Sequence, residues 1–174
     1  GSAIPKYTGG VSTHIEYKGL FLDASVYFSG GNKVYEDIAR LYMRTNDFTL
    51  ARFNGSDELL NAWRQPGDVT NVPKLVFGET NNFDQESSRH LYDGTFARLR
   101  DVTLGYNLPS KFLSEIGIEG VTFTVKATNI YTWVKDKNLK LDPETSNNNI
   151  MNTGVIRLTA PPVKSIIFGV NLKF

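Results

Sequence analysis

The stretch VKSIIFGVNLKF, residues 163–174, alternates between two kinds of side chain. Every second residue from position 166 is apolar: Ile166, Phe168, Val170, Leu172 and Phe174. The residues between them are mostly small or polar: Ile167, Gly169, Asn171 and Lys173. A period of two is typical of a β-strand that has one apolar and one wet face. The stretch therefore predicts such a strand, running to an aromatic residue.

Composition excludes several classes of protein. The 174 residues include 19 basic and 18 acidic side chains, a net charge of +1 with no basic block, which argues against nucleic acid as the partner. Cysteine is absent, so disulfides and thiolate metal sites are excluded. Aromatic residues make up 12% of the chain, which favours β structure.

The same alternation recurs in four earlier stretches, which predict strands over residues 7–17, 20–29, 96–108 and 121–133. Together with the strand at 163–174, the sequence predicts five strands. Each is at least as long as the roughly 9–11 residues that a tilted strand needs to cross a bilayer. In the third strand Arg98 and Arg100 fall on the apolar series. A β-bulge, or an extension of the strand beyond the membrane, would explain them.

Short and long connections alternate between these strands. Lys18-Gly19 and residues 109–120 are short, whereas residues 30–95 and 134–162 are long. Outer-membrane barrels have short periplasmic turns and long external loops in the same way. We predict an all-β fold: an antiparallel transmembrane β-barrel segment of about five strands. Two short helices are expected in the external loops, VYEDIARLYM (residues 34–43) and SDELLNAWR (residues 56–64).

A soluble sheet with one face packed on a core is the alternative, because it too buries one face. Such a module would bind carbohydrate or protein through Trp63, Trp133 and loop tyrosines. Under the membrane interpretation, five strands cannot close a barrel, because barrels have eight strands or more and an open edge leaves backbone groups unpaired in hydrocarbon. The chain would then be part of something larger, or a fragment with no function of its own.

Five landmarks along the chain resemble SusC/RagA-type TonB-linked outer-membrane transporters. They are IPKYTGGVSTHIEYKGLFLDASVYFSGG from residue 4, NAWRQPGDVTNVPKL from residue 61, FARLRDVTLGYNLPSKF from residue 96, ATNIYTWVKDKNLKLDPE from residue 127 and FGVNLKF from residue 168. Their order and spacing follow those of the family. Leu139-Lys140-Leu141 departs from its glycine-aromatic pattern, and residues 31–91 are only loosely alike, so the ligand stays open.

The resemblance implies the C-terminal portion of a barrel of roughly 22 strands, the size class of plugged transporters. It implies import of oligosaccharides or oligopeptides across the outer membrane of a Gram-negative bacterium, with no cofactor. The expected partners are a SusD-like surface lipoprotein, TonB through a plug region that this chain lacks, membrane lipid and the barrel-assembly machinery. That machinery would read a signal in the last strand, at Phe168, Val170, Leu172 and Phe174.

No catalytic or metal-binding motif is present. The histidines are His14 and His90, and no spacing indicates a nucleophile and its base, so we expect no enzyme activity and no metal site. Asp142-Pro143-Glu144 fits a turn better than a calcium site.

Aromatic and charged residues in or beside the first long loop are the candidate ligand contacts. They are Trp63, Arg64, Phe83, Tyr92, Asp93, Arg98 and Arg100. Aromatic rings suit sugar stacking, and Arg suits a peptide carboxylate through bidentate hydrogen bonds. The alternative for each is packing within the loop. Another polar set is expected to line a wet channel or touch the plug: His14, Glu16, Asp23, Lys126 and Lys173.

Overall fold

The computed structural model describes residues 1–39, 55–75, 85–109, 111, 117–145, 153–157 and 159–174. The chain divides into two compact units. The sheet unit comprises Pro5–Gly31, Gly94–Lys137 and Pro161–Phe174. The loop unit comprises Gly1–Ile4, Asn32–Asp93 and Asn138–Ala160. Of the candidate ligand residues, Phe83 lies outside the described residues.

Eight strands and three short 3-10 helices lie wholly within the described residues. The strands are β1 Tyr7–Tyr17, β2 Leu20–Gly30, β3 Lys33–Glu36, β4 Leu91–Asp93, β5 Phe96–Asn107, β6 Gly120–Val134, β7 Val155–Ile156 and β8 Ser165–Lys173. The 3-10 helices are Asp57–Asn61, Ser88–His90 and Pro143–Thr145. No helix in the described part of the chain has the length and hydropathy needed to span a membrane.

The sheet unit is a five-stranded sheet in the order β1-β2-β5-β6-β8, and every neighbouring pair is antiparallel. This confirms the predicted all-β, antiparallel fold of five long strands. Along the chain, β5 follows β2 only after the loop unit's strands β3 and β4. The backbone hydrogen bonds of the sheet, not nearness in sequence, therefore bring β2 and β5 together.

One face of this sheet, the apolar face, carries an unbroken row of large side chains across all five strands. The pairing register places in that row Ile15, Leu22, Leu104, Val125 and Phe168. Four of these five side chains are exposed, among them Ile15 at 59%, Val125 at 38% and Phe168 at 78%, and Leu22 is half-buried. An exposed apolar surface of this extent calls for a partner or a lipid environment.

The opposite face, the polar face, carries a parallel row one residue away. Its members are His14, Asp23, Thr103, Lys126 and Ile167. A second polar row comprises Ser12, Ser25, Asp101, Thr128 and Ser165. The strict separation of apolar and polar rows follows from the strand period of two, since a one-residue slip would exchange the faces.

A β-bulge interrupts β5 where the sequence pattern breaks phase. Ser25 of β2 pairs with Asp101 but Val26 pairs with Leu99, so Arg100 is an extra residue in β5. On β6 the register shifts at the same level, beside Asn129, whose φ is +54°. Of the two explanations considered for the out-of-phase arginines, the bulge is the one observed. It moves Arg98 to the polar face, opposite Tyr27.

The loop unit contains a second sheet, of order β4-β3-β7, in which β3 and β7 are parallel. Val34 and Ile156 are buried in it, at 0% and 1% exposure. The helix expected over residues 34–43 is wrong at its start, because Val34–Glu36 belongs to β3. Residues 37–39 are helical, and residues 40–43 lie outside the described residues. Pairing with β4 and β7 supplies the backbone hydrogen bonds that a helix would have made.

The second expected helix is a 3-10 helix of five residues, Asp57–Asn61. Its N-cap is Ser56, whose hydroxyl accepts a hydrogen bond from the Glu58 amide at 3.3 Å. No residue of the helix is buried, so there is little packing to extend it.

The hairpin of β1 and β2 turns at two residues with positive φ, Lys18 at 49° and Gly19 at 83°. Positive φ at both central positions is the feature of a type I′ turn, whose twist matches the flanking strands. The Gly19 carbonyl also accepts a hydrogen bond of 2.7 Å from the Asn107 amide at the end of β5. The turn is thus anchored to a third strand.

We expect Gly19→Ala to destabilise the protein that contains this chain. A Cβ at Gly19 would lie 2.6 Å from the Asn107 carbonyl oxygen, and the left-handed backbone alone costs about 1–2 kcal/mol for a residue other than glycine. The midpoint of urea unfolding measures the loss. Gly120→Ala is the matched control, because a Cβ there meets nothing nearer than the Lys173 Cβ at 3.7 Å. Equal midpoints for the two variants would contradict the role of the turn.

Candidate functional site

The polar face of the sheet unit carries a network of ionisable side chains across four strands. His14 Nδ1 and Asp23 Oδ1 lie 2.6 Å apart, and the Lys126 ammonium lies 2.9 Å from Asp101 Oδ1. Thr128 also donates a hydrogen bond to Asp101 at 3.2 Å. The four ionisable groups line an open depression of about 610 Å³. Each charge has an opposite or polar neighbour, which suits a wetted surface.

Towards the loop-connected end of the polar face, arginines and aromatic rings cluster around the bulge. The Arg100 guanidinium carbon lies 4.9 Å from the centroid of the Tyr27 ring, and that of Arg98 lies 5.7 Å from the Phe96 centroid. The Tyr27 and Phe96 rings are 5.9 Å apart. We call Tyr27, Phe96, Arg98 and Arg100 the arginine–aromatic cluster.

Within the arginine–aromatic cluster the two arginines differ in access. Arg98 is 1% exposed, whereas Arg100 is half-buried. Arg100 has its position because a bulged residue is released from the regular alternation of the strand. It is therefore the better placed of the two to reach a ligand carboxylate, which a guanidinium can bind through two hydrogen bonds.

The loop unit contains a polar cavity of about 470 Å³. Its lining includes three amide side chains, two basic side chains, one carboxylate and one ring, from Glu58, Asn61, Asn71, Val72, Arg89, Tyr92, Asn138 and Lys140. The Arg89 guanidinium donates to the Asn71 carbonyl and so closes one side. Amide groups offer both a donor and an acceptor, a combination that suits sugar hydroxyls or a peptide backbone.

A buried carboxylate holds one wall of this cavity in place. Glu36 is 1% exposed, and its Oε1 accepts hydrogen bonds of 3.0 Å from the amides of both Lys140 and Leu141. Beside it, Asp37 binds the Arg157 guanidinium at 3.0 Å. Hydrogen bonds to a charged acceptor are about twice as strong as neutral ones. Glu36 therefore fixes the segment that carries Asn138 and Lys140.

The structure distributes the predicted ligand residues over separate places. Tyr92 lines the loop-unit cavity, and Arg98 and Arg100 belong to the arginine–aromatic cluster. Trp63 is half-buried with Lys74 6.0 Å from its ring centroid, outside the cavity lining. The Arg64 guanidinium donates a hydrogen bond to the Leu60 carbonyl, four residues before it. Asp93 stands opposite Lys33 in the backbone pairing of β4 with β3.

Several residues that complete these places carried no signal in the sequence. Asn61, Asn71 and Asn138 are ordinary loop residues until the fold brings them to one cavity. Tyr27 and Phe96 did carry a signal in the sequence, because aromatic residues are unusual on the polar side of an alternating strand.

The predicted assembly-signal residues lie together on the apolar face of β8 and at its end. Phe168, Val170 and Leu172 face Val125, Phe123 and Val121 across the pair with β6. All four residues are exposed, with Phe168 at 78% and Phe174 at 79%. Lys173, one residue before the last, pairs with Glu119 at 3.0 Å.

No group of three or more metal-ligating side chains occurs among the described residues. The Asp142 carboxylate accepts the Glu144 amide at 2.9 Å, and the Asp142 carbonyl accepts the Thr145 amide at 3.1 Å. These bonds form a tight turn that begins the 3-10 helix Pro143–Thr145. Asp142-Pro143-Glu144 therefore forms a turn, as its sequence predicts.

Comparison with known proteins identifies the relatives of the chain. It is 31% identical over 181 residues to TonB-dependent receptor P26 and 30% identical over 184 residues to TonB-dependent receptor P3, both from Formosa agariphila. No family model matches the chain. The match covers the whole of this chain, which spans 17% of the length of each of these relatives.

A solved structure of the RagAB peptide transporter shares the fold. The TM-score is 0.77 with 29% sequence identity, over 99% of this chain and 18% of the solved one. These relatives are receptors and transporters rather than enzymes, which agrees with the lack of a catalytic motif. The resemblance found in the sequence is thereby confirmed: the chain is homologous to TonB-dependent receptors of the SusC/RagA type, and its sheet corresponds to a fragment of their barrel.

Proposed function

We propose that this chain forms wall and external loops of a TonB-dependent importer in the outer membrane of a Gram-negative bacterium. The observation that carries the proposal is the exposed apolar row that crosses all five strands, from Ile15 to Phe168, with ion pairs on the opposite face. Lipid on one side and a wetted lumen on the other account for both faces. The intact importer takes up oligosaccharides or oligopeptides.

Strand pairing supports a larger assembly. β1 and β8 are the outer strands of the sheet, and each has one edge without a partner strand in the described part of the chain. Within hydrocarbon those backbone groups must be paired, at a cost of several kcal/mol for each one left open. Further strands of the full-length protein pair with these two edges. This chain spans 17% of the length of its relatives, which leaves room for such strands.

The orientation follows from the lengths of the connections. The tight turn at Lys18-Gly19 lies at the periplasmic end, and the two long connections between the sheet strands lie at the external end. A SusD-like lipoprotein then meets the loop unit, TonB acts through the plug, and the assembly machinery reads the exposed end of β8. The likeness to the RagAB peptide transporter supports an importer of this kind.

A free-standing soluble module is the second candidate, and the exposure of the apolar face counts against it. Val26, Phe123 and Val125 should then pack in a core, yet they are 38%, 47% and 38% exposed. Water contact over so wide an apolar surface would cost roughly 25 cal/mol for each Å² left uncovered.

Charge placed on the apolar face should impair membrane assembly of the full-length protein. We expect Val125→Lys or Phe168→Lys to cost about 2–4 kcal/mol near the middle of the membrane, because a lysine there faces lipid. The measurement is the amount of heat-modifiable barrel in the outer-membrane fraction.

Thr124→Lys is the matched control for this experiment. Thr124 neighbours Val125 but points to the polar face, where it pairs with Gly169. Normal assembly of all three lysine variants would contradict the membrane interpretation. Loss confined to Val125→Lys and Phe168→Lys would support it.

Two substitutions should distinguish the peptide from the oligosaccharide ligand. If Arg100 binds a ligand carboxylate, Arg100→Gln removes a charged hydrogen bond worth about 1.5–3 kcal/mol, which is about tenfold or more in affinity for an acidic oligopeptide. If the loop-unit cavity binds hydroxyl groups, Asn138→Ala weakens binding of a neutral oligosaccharide instead. Calorimetry on the full-length protein measures both.

Lys164→Gln serves as the control, since Lys164 is exposed and belongs to neither the arginine–aromatic cluster nor the cavity lining. A loss of affinity limited to one ligand and one variant identifies the substrate class. Unchanged affinity in both variants for both ligands would show that neither place contacts the ligand.

A further inference from the structure

We propose that two lysine–aromatic pairs, at opposite ends of the apolar face, bind phosphate groups of membrane lipid headgroups. The pairs are Tyr17 with Lys18 and Trp133 with Lys137. The inference rests on the membrane location proposed above. It adds two lipid-binding sites whose residues belong neither to the arginine–aromatic cluster nor to the lining of the cavity.

In both pairs a lysine ammonium lies over a ring of the apolar face. Lys18 Nζ is 5.1 Å from the Tyr17 centroid, and Lys137 Nζ is 5.7 Å from the Trp133 centroid. Both distances are within the roughly 6 Å over which a cation is attracted to a ring. The rings themselves are open, at 68% exposure for Tyr17 and 44% for Trp133. Each pair thus presents a charge above an accessible amphipathic ring.

The pairing register places both rings on the apolar face. Tyr17 pairs with Leu20 of β2, and Trp133 pairs with Ala97 of β5, in line with the apolar rows. Tyrosine and tryptophan on a lipid-facing surface collect where hydrocarbon meets headgroups, since the ring is apolar and its edge is polar. Their position therefore fits the boundary rather than the middle of the membrane.

The lysines on the two faces of the sheet differ in their partners. On the polar face, Lys126 and Lys173 form ion pairs with Asp101 and Glu119 at 2.9 and 3.0 Å. Within the described residues, Lys18 and Lys137 have no carboxylate at ion-pair distance. An anion from outside the chain can therefore complete the coordination of these two ammonium groups.

The separation of the two pairs matches the height of a membrane. In the pairing register, Tyr17 stands in one row with Leu20 of β2, Tyr106 of β5 and Phe123 of β6. Trp133 lies ten residues beyond Phe123 along β6. Ten residues span about 33 Å along a strand, at about 3.3 Å per residue. A strand tilt of about 35–45° reduces the span of β6 from Phe123 to Trp133 to about 25 Å along the membrane normal, the height of the apolar band of outer-membrane barrels.

Phosphate on a lipid, rather than a free anion, is the ligand that uses both parts of each pair. The ring contacts the glycerol and upper acyl region while the ammonium reaches the phosphate above it, as lysines at membrane boundaries do. A free phosphate ion would contact the ammonium alone. The proposal therefore commits to an anionic lipid at each end.

The test measures phosphatidylglycerol binding to the full-length protein by native mass spectrometry. The protein is taken from nanodiscs of phosphatidylcholine that contain increasing fractions of phosphatidylglycerol. We expect Lys18→Gln and Lys137→Gln each to lower the apparent affinity for phosphatidylglycerol about fivefold at one site. Binding of phosphatidylcholine should stay unchanged, because it carries no net charge.

Lys74→Gln is the matched control, since Lys74 also lies over a ring, 6.0 Å from the Trp63 centroid, but in the loop unit. Unchanged phosphatidylglycerol binding by both apolar-face variants, or an equal loss in Lys74→Gln, would overturn the proposal. So would displacement of the lipid by excess inorganic phosphate.

Heat-modifiable mobility of the same samples separates the two proposals. A wild-type protein that fails to insert contradicts the membrane function, and this inference with it. Normal insertion with lipid binding unaffected by either substitution contradicts this inference alone.

Discussion

The antiparallel backbone register of the five-stranded sheet is the constraint on which the rest of the structure depends. Each hydrogen-bonded pair fixes which residues stand opposite each other, and the strand period of two then assigns every side chain to a face. Because the apolar residues of five strands fall in step, a slip of one residue in any pair would place charge among them. The hydrophobic pattern and the hydrogen bonds therefore enforce the same register.

The bulge at Arg100 shows how a local exception to that register serves the polar face. Without the extra residue, Arg98 would point to the apolar face with Val102 and Leu104, where a charged group finds no partner. With it, Arg98 stands opposite Tyr27, and Arg100 lies against the Tyr27 ring. Two arginines and two rings gather at one level as a result, and a chemically distinct patch forms where the strands would otherwise continue a uniform pattern.

The loop unit combines buried apolar residues, among them Val34 and Ile156, with buried charged groups. Glu36 accepts two backbone amides, Asp37 binds Arg157, and both carboxylates are buried. Buried charges of this kind are costly unless fully paired, and a paired set admits few alternative arrangements. Such a unit can hold the wall of a polar cavity rigidly on short strands, which by themselves would be marginal.

Alternation in the sequence determined the five long strands, their faces and the all-β class, because side-chain period depends only on the local chain. The landmark motifs determined the relation to TonB-dependent receptors. Only the tertiary structure decided that Val34–Glu36 is a strand, since its partners at Leu91–Asp93 and Val155–Ile156 are far away in sequence. It also decided that a bulge accommodates Arg98 and Arg100, and it brought Tyr92 together with three asparagines from the two long connections. Those outcomes depend on long-range pairing, whose free energy no local pattern contains.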